Sequence, residues 1–214
     1  MKTLVLAAAG LTLLGSAVGA QQRLRATGWG DGAIVQLGTQ ILGARESQSG
    51  PVFGGEGRLG LGPVTLGVGY LEGRLQPGTS GTPQGRDLVE ARIFVSARPL
   101  SWLTLSAGPR VRAFVTDAAT ERWVWWEGRA RAQNALASTP LQTYIELWRA
   151  LSARVNLPEP VDHVQGGEAG VVLRPPGAAL WFRLGYRVDG ARLGGGLRSE
   201  TVEAVSLAVG IGGP

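Results

Sequence analysis

From Leu88 to Thr116 the chain alternates between apolar and polar positions twice, on either side of Arg98-Pro99-Leu100-Ser101-Trp102. In the first run Val89, Ala91, Ile93, Val95 and Ala97 share one parity, and Leu88, Glu90, Arg92, Phe94, Ser96 and Arg98 share the other. The second run sets Leu103, Leu105, Ala107, Val111, Ala113 and Val115 against Thr104, Ser106, Arg110 and Arg112. Successive side chains of a strand point to opposite faces, so this pattern predicts a β-hairpin with one apolar and one charged face. Each run is about ten residues, longer than an ordinary strand. It is also the length that a tilted strand needs to cross a bilayer.

The same rhythm runs along most of the chain. A first strand is expected over 33–43, with Val35, Leu37, Thr39 and Ile41 opposite Gln36, Gly38 and Gln40. The second, over 52–61, sets Phe53, Leu59 and Leu61 against Glu56 and Arg58. After the Gly62-Pro63 turn, a third sets Val64, Leu66, Val68 and Tyr70 against Thr65, Gly67 and Gly69. The opening hairpin supplies strands four and five. Strand six, over 122–133, sets Val124, Trp126, Ala130 and Ala132 against Trp125, Glu127, Arg129 and Arg131. Strand seven opposes Leu141, Thr143, Ile145 and Leu147 to Gln142, Tyr144, Glu146 and Trp148, and its end, 149–154, breaks parity as a bulge would. Leu141, Tyr144, Ile145, Trp148 and Leu151 also fit helical spacing. Both neighbours being strands favours the strand. Strand eight covers 168–174. Strand nine sets Leu180, Phe182, Leu184, Tyr186 and Val188 against Trp181, Arg183, Arg187 and Asp189. Strand ten carries Val205, Leu207, Val209 and Ile211.

Ten strands, or eight if two are misread, give the even number of a single-chain transmembrane barrel. Short connections are expected at 62–63, 98–102 and 175–177, and longer ones at 44–51, 76–86, 156–166 and 190–199. Short turns at one end and long loops at the other describe an up-and-down antiparallel barrel. Alternation alone leaves open whether the apolar face meets lipid or a dry core, because soluble barrels and sandwiches alternate too. Strand length favours lipid. So do aromatics near strand ends, Trp29 and Trp102 at one side and Tyr70, Trp123, Trp126 and Tyr186 at the other, placed as two interfacial girdles. The charged parity carries both signs, as a narrow lumen filled by Glu–Arg pairs requires.

Composition narrows the function classes. The 214 residues include no Cys, which removes disulfides, thiol chemistry and a lipid-anchored cysteine. The net charge of +5 is almost all arginine spread along alternating strands with Glu nearby, unlike the clustered basic surface of a nucleic-acid binder. At the N-terminus Lys2 precedes an apolar run, Leu4 to Leu14, and then Gly15-Ser16-Ala17-Val18-Gly19-Ala20. This reads as a secretory signal, 1–20, cleaved after Ala20, followed by a barrel over 21–214. The run is shorter than the ~20 residues of a spanning helix.

The signal segment, the hairpin rhythm over 33–211 and the terminal strand Val205-Ser206-Leu207-Ala208-Val209-Gly210-Ile211 resemble those of a small bacterial outer-membrane β-barrel protein. Members of that class commonly end on an aromatic residue, where this chain has Ile211-Gly212-Gly213-Pro214. The resemblance implies an all-β transmembrane barrel in the outer membrane with a structural or surface-interaction role. Its implied partners are outer-membrane lipid and the outer-membrane assembly machinery. A monomer without enzymatic activity or cofactor is expected.

The residues that carry the candidate chemistry are the inward charges Glu56, Arg58, Glu90, Arg92, Arg110, Arg112, Glu127, Arg129, Arg131, Arg183 and Arg187. They describe either a plug of ion pairs or an electropositive lumen that passes small anions. A ten-stranded barrel is only slightly wider than the eight-stranded size that side chains fill, which favours the plug. Two alternatives stay open: a narrow anion-selective channel, and a soluble periplasmic or secreted barrel holding an apolar ligand. The single histidine, His163, stands beside Asp162 and near Glu159. Sequence-adjacent side chains diverge, so a solvated loop histidine is expected rather than a catalytic dyad. With one His and no Cys, no transition-metal cluster is expected. Gly194-Gly195-Gly196 lacks the strand–helix context and lysine of a phosphate loop.

Overall fold

A computed structural model describes residues 24–78 and 84–212. The expected signal segment, 1–20, lies outside them. Ten antiparallel strands form the chain: β1 (Arg25–Ile41), β2 (Ala44–Leu61), β3 (Val64–Pro77), β4 (Arg86–Leu100), β5 (Leu103–Val115), β6 (Thr120–Ala135), β7 (Leu141–Val155), β8 (Val161–Leu173), β9 (Leu180–Leu193) and β10 (Arg198–Ile211). Each pairs with its sequence neighbours, and β1 pairs with β10, so the sheet closes and no edge remains. The up-and-down barrel expected from the alternation is the fold.

The strands tilt around the barrel. A row of paired residues runs from Tyr186, high on β9, through Ala169, Ile145 and Ala132 to Leu103, the first residue of β5. Such a drift in register is what closing a sheet into a barrel requires. One end of the barrel, the near end, carries Arg25, Ile211 and the connections at 62–63, 101–102, 136–140 and 174–179. The far end carries those at 42–43, 78–85, 116–119, 156–160 and 194–197.

Several boundaries differ from the sequence expectation. The segments 44–51 and 190–193 and the residues 198–199 are strand, so the far-end loops are short and the strands long. β1 begins at Arg25, well before 33. The physical reason is cross-strand pairing: Ala44 to Ser49 bond to Ile41 back to Gln36, which a polar single-strand pattern does not reveal. The tight turns use the torsions expected of hairpins. Gly62 has φ 59° ahead of Pro63, and Leu42 (φ 49°) and Gly43 (φ 90°) are both left-handed. The 141–155 segment is strand throughout and not helix. Its expected bulge is present: Trp126 pairs with Ser152 while Glu127 pairs with Ala150, leaving Leu151 unmatched and pointing outward.

Along the barrel axis the two faces exchange character. In the near two-thirds the outer face is an apolar belt: Val64, Leu66, Val68 and Tyr70 on β3, Val89 to Ala97 on β4, Leu180 to Val188 on β9, and Val205 to Ile211 on β10. Phe53 is 65% exposed there, Ile93 54% and Leu207 58%. Beyond that level the outer face turns polar: Glu72, Arg74 and Gln76 on β3, Thr201 and Glu203 on β10, Gln36 and Gln40 on β1. At the same level the interior turns apolar. Val35, Leu37, Val52, Leu75, Leu88, Phe114, Trp123, Trp125, Val164, Leu193 and Val202 form one buried cluster. On β1, β3 and β10 the far part of the barrel, here the collar, is thus built like a soluble protein, dry inside and wet outside, while β5 keeps Val111, Ala113 and Val115 outward to its far end.

This exchange corrects two expectations. Val35, Leu37 and Thr39 face the interior of the collar, with Gln36 and Gln40 outside, so the apolar parity of β1 is not the outer one there. Trp29 and Trp123, expected in the girdles, are buried inside. Tyr70, Trp126 and Tyr186 remain exposed at the belt's far rim, and Trp102 at its near rim.

Candidate functional site

The belt's interior is a layer of charge. All eleven residues of the expected set point into it: Glu56 and Arg58 from β2, Glu90 and Arg92 from β4, Arg110 and Arg112 from β5, Glu127, Arg129 and Arg131 from β6, and Arg183 and Arg187 from β9. Strand alternation places them, because each sits one residue from an outward apolar position. Four carboxylates escaped the sequence reading of this set: Asp31 on β1, Glu146 on β7, Glu168 on β8 and Asp189 on β9. They share the inward parity, which was the signal available. With them, eight arginines meet seven carboxylates, and the layer lies within one charge of neutral.

The pairs form one large network, joined where Arg110 lies 3.6 Å from Glu127, and three smaller sets. Glu90 is one hub. It accepts from Arg110, from Arg112 at 2.8 Å and from both terminal nitrogens of Arg187, at 3.2 and 3.1 Å. Asp189 accepts from Arg112 and Arg187 and ties β9 to β5 across the lumen. Separately, Glu56 accepts from Arg58 at 2.6 Å and from Arg92. Glu127 accepts from Arg129 and, at 2.8 Å, from the Trp125 indole. Glu146 binds Arg129 at 2.5 Å, with Arg131 at 3.8 Å. Tyr144 donates to Glu168 at 2.5 Å, and Arg183 lies 3.5 Å from Asp31. Burying either sign alone in such a layer is costly, and interleaving the two signs with hydrogen bonds offsets most of that cost.

Aromatic faces complete the packing. Arg131 lies over Tyr144 at 3.9 Å, Arg129 over Trp148 at 4.6 Å and Arg58 over Trp29 at 4.7 Å. Glycines opposite large side chains make the room. A Cβ on Gly67 would strike the Phe94 ring, and one on Gly210 would strike Trp181. Arg129 Nη2, Arg183 Nε and Asp31 Oδ1 have no hydrogen-bond partner among the described residues, and all three residues border a cavity of about 80 Å³. That is polar and roomy enough for a few water molecules to bond them.

Apolar clusters stand on both sides of the charge layer. Towards the near end Trp29, Tyr144, Val172, Trp181 and Ala208 pack together, with Trp29 and Trp181 edge to face at 5.5 Å. Towards the far end lies the collar core. Apart from the small cavity in the charge layer, side chains occupy the lumen at every level. The inward charges form a nearly balanced layer of ion pairs rather than an electropositive surface, because Asp31, Glu146, Glu168 and Asp189 sit among the arginines.

At the collar mouth Arg198 pairs with Glu121 at 2.5 Å and Glu200 at 2.6 Å. Burial and the neighbouring Glu121 carboxylate push the Glu200 carboxyl up to about 7, against the pull of Arg198. His163 lies on the outer wall of β8 opposite Arg192, and the adjacent Asp162 accepts the Gly195 N–H at 2.8 Å. Asp162 therefore turns to the far-end connection and does not orient the imidazole.

No protein-family model matches the chain, and no curated protein matches it. Solved structures do. Neisserial surface protein A is similar at 12% identity over 86% of this chain and 96% of its own, with a TM-score of 0.37. The translocator domain of autotransporter NalP from Neisseria meningitidis is similar at 11% identity over 88% of each chain, with a TM-score of 0.46. Ail, the attachment invasion locus protein of Yersinia pestis, is similar at 7% identity over 86% and 98%, with a TM-score of 0.37. The resemblance to small bacterial outer-membrane barrels holds at the level of the fold: ten antiparallel strands, even in number and closed.

Proposed function

We propose that this chain is a bacterial outer-membrane protein whose belt spans the bilayer and whose collar stands out of it, with a structural or surface-interaction role. The exchange of inner and outer character within β1, β3 and β10 carries this reading. An apolar outer face over a charged interior is the arrangement that lipid outside and a polar lumen inside select. Water outside selects the reverse, which is what the collar shows. Tyr70 and Tyr186 mark the boundary: their rings lie on the belt and their hydroxyls reach up to Glu72 (2.6 Å) and Glu203 (2.8 Å). A soluble barrel would keep its apolar face inside along its whole length.

The filled lumen favours the structural role over a narrow anion channel. Ion pairs, an aromatic layer below and an apolar core above occupy the path that ions need. Membrane fractionation, electrophoresis with and without boiling, and planar-bilayer recording test both statements. The expected result is an outer-membrane band whose mobility shifts on heating and a silent bilayer. A soluble, unshifted band would sink the membrane reading. Reproducible anion currents reduced by Arg129→Ala would replace the plug with a channel.

A further inference from the structure

We propose that the outer wall of the barrel over β6–β9, at the level of the collar, binds the phosphates of anionic lipid headgroups. The proposal rests on the membrane-spanning reading above. Arg122 on β6, Arg149 and Arg154 on β7, and Arg192 on β9 are outward and exposed, and none makes an ion pair among the described residues. These strands are consecutive neighbours, so the arginines share one flank. Arg154 pairs with Val124, which sets it diagonally beside Arg122. Arg149 faces Gln165, and Arg192 faces His163 two residues further along β8.

The opposite flank is different. Its outward carboxylates are already engaged: Glu203 by Tyr186, Glu72 by Tyr70 and Asp87 by Arg74 at 3.5 Å. The outer wall is therefore uneven around its circumference: four unpaired guanidinium groups stand on this flank, and Arg45 on β2 is the single one at the far end of the other. Asp162, the carboxylate on β8, is turned to Gly195. Apolar side chains are interleaved with the arginines on this wall: Leu147 lies on the near side of Arg149, Trp126 and Leu151 between Arg149 and the more distant Arg122 and Arg154, and Val188 on the near side of Arg192. An acyl chain lying on those side chains brings its headgroup phosphate level with the guanidinium groups, whose planar donors match phosphate oxygens two at a time. Apolar surface running up among unpaired cations fits a lipid, and a phosphorylated soluble partner would leave the belt unused.

Trp126 is the reporter, because it is exposed on this flank while Trp29, Trp123, Trp125, Trp148 and Trp181 are buried in the lumen. The full chain is reconstituted in mixed phosphatidylglycerol and phosphatidylcholine vesicles, with bromine on the acyl chains of one lipid at a time. The Trp126 signal is the difference between the wild-type protein and Trp126→Phe. Brominated phosphatidylglycerol is expected to quench it roughly twofold or more over brominated phosphatidylcholine at equal mole fraction, an excess that falls with added salt. The excess should vanish in Arg122→Gln/Arg149→Gln/Arg154→Gln/Arg192→Gln and shrink in Arg149→Gln or Arg154→Gln alone, which keeps the test open if the quadruple variant fails to assemble. Equal quenching by the two lipids, or an excess that survives the substitutions, overturns the headgroup surface while leaving the membrane reading intact. Absence of quenching by either lipid overturns both.

Discussion

Strand β10 obeys opposite rules at its two ends. From Val205 to Ile211 its outward positions are Val205, Leu207, Val209 and Ile211, and its inward ones are Ser206, Ala208 and Gly210. A few residues earlier the outward positions are Thr201 and Glu203, while Val202 is buried inside. The backbone makes no bulge between them, since pairing with β1 and β9 runs without a shift. Parity therefore keeps its phase and the residue types change sides. Strand β3 does the same between Tyr70 and Leu71. What differs between belt and collar is the solvent each is built for, and a strand that crosses the boundary records it as a break in apolar alternation rather than in geometry.

The belt's stability depends on charge pairing and the collar's on apolar packing. Glu90→Ala strips a hub carboxylate from Arg110, Arg112 and Arg187 and leaves three buried cations short of a partner. Removing one partner of a buried pair costs about 3–5 kcal/mol. Phe114→Ala in the collar core should cost a similar ~3–5 kcal/mol through lost packing. The two are told apart by rescue. Glu90→Gln, which keeps the shape and an acceptor, should recover only a minor part of the loss, and Phe114→Leu should recover most of its own. Urea unfolding of the reconstituted protein measures each, and equal rescue at both sites would erase the distinction.

An identical substitution placed on either side of the boundary sharpens the comparison. Leu207→Arg puts a charge on the apolar belt and, with the belt spanning the bilayer as proposed, should cost about 2–4 kcal/mol near mid-bilayer. Thr201→Arg, outward on the same strand within the collar, should stay within about 0.5 kcal/mol. Assembly yield and unfolding in vesicles report both. Matching costs would mean that the collar is also immersed in lipid.

How much of this was legible in the sequence follows from the same boundary. The ten strands, their antiparallel order and the inward parity of residues such as Arg110, Glu127 and Arg183 follow from alternation, because strands in the belt keep one apolar face over many residues. The bulge at Leu151 showed as a break in parity. The far-end strand extensions did not show, since Ala44 to Ser49 have no apolar alternation and are strand only because β1 supplies their partners. Val35 and Leu37 were misplaced because a single strand does not say on which side of the boundary it lies. Asp31, Glu146, Glu168 and Asp189 were readable by parity, yet their role as partners depends on distances across the lumen between strands remote in sequence, as with Asp189 and Arg112.

The collar also carries the site where pH should matter. Glu200, on β10 above the belt, has its carboxyl raised to about 7 by burial and by Glu121, with Arg198 opposing. Unfolded, it titrates near the ordinary carboxylate value of 4.5. Between those two values the folded protein holds a proton that the unfolded chain has released, so stability falls as pH rises through this window and levels off above it. The collar is thus firmest in mild acid, opposite to the usual behaviour of a paired carboxylate. The slope is at most about 1.4 kcal/mol per pH unit. Glu200→Gln should flatten that slope between pH 5 and 7 and stabilise the protein at pH 8, where the native pair of carboxylates repels. Glu121→Gln should act in the same direction by removing the repulsion while leaving the burial. Unfolding midpoints across pH 5 to 8 read the effect, and a wild-type profile that is flat or rises with pH over that range would show that Arg198 outweighs burial and Glu121 at the mouth.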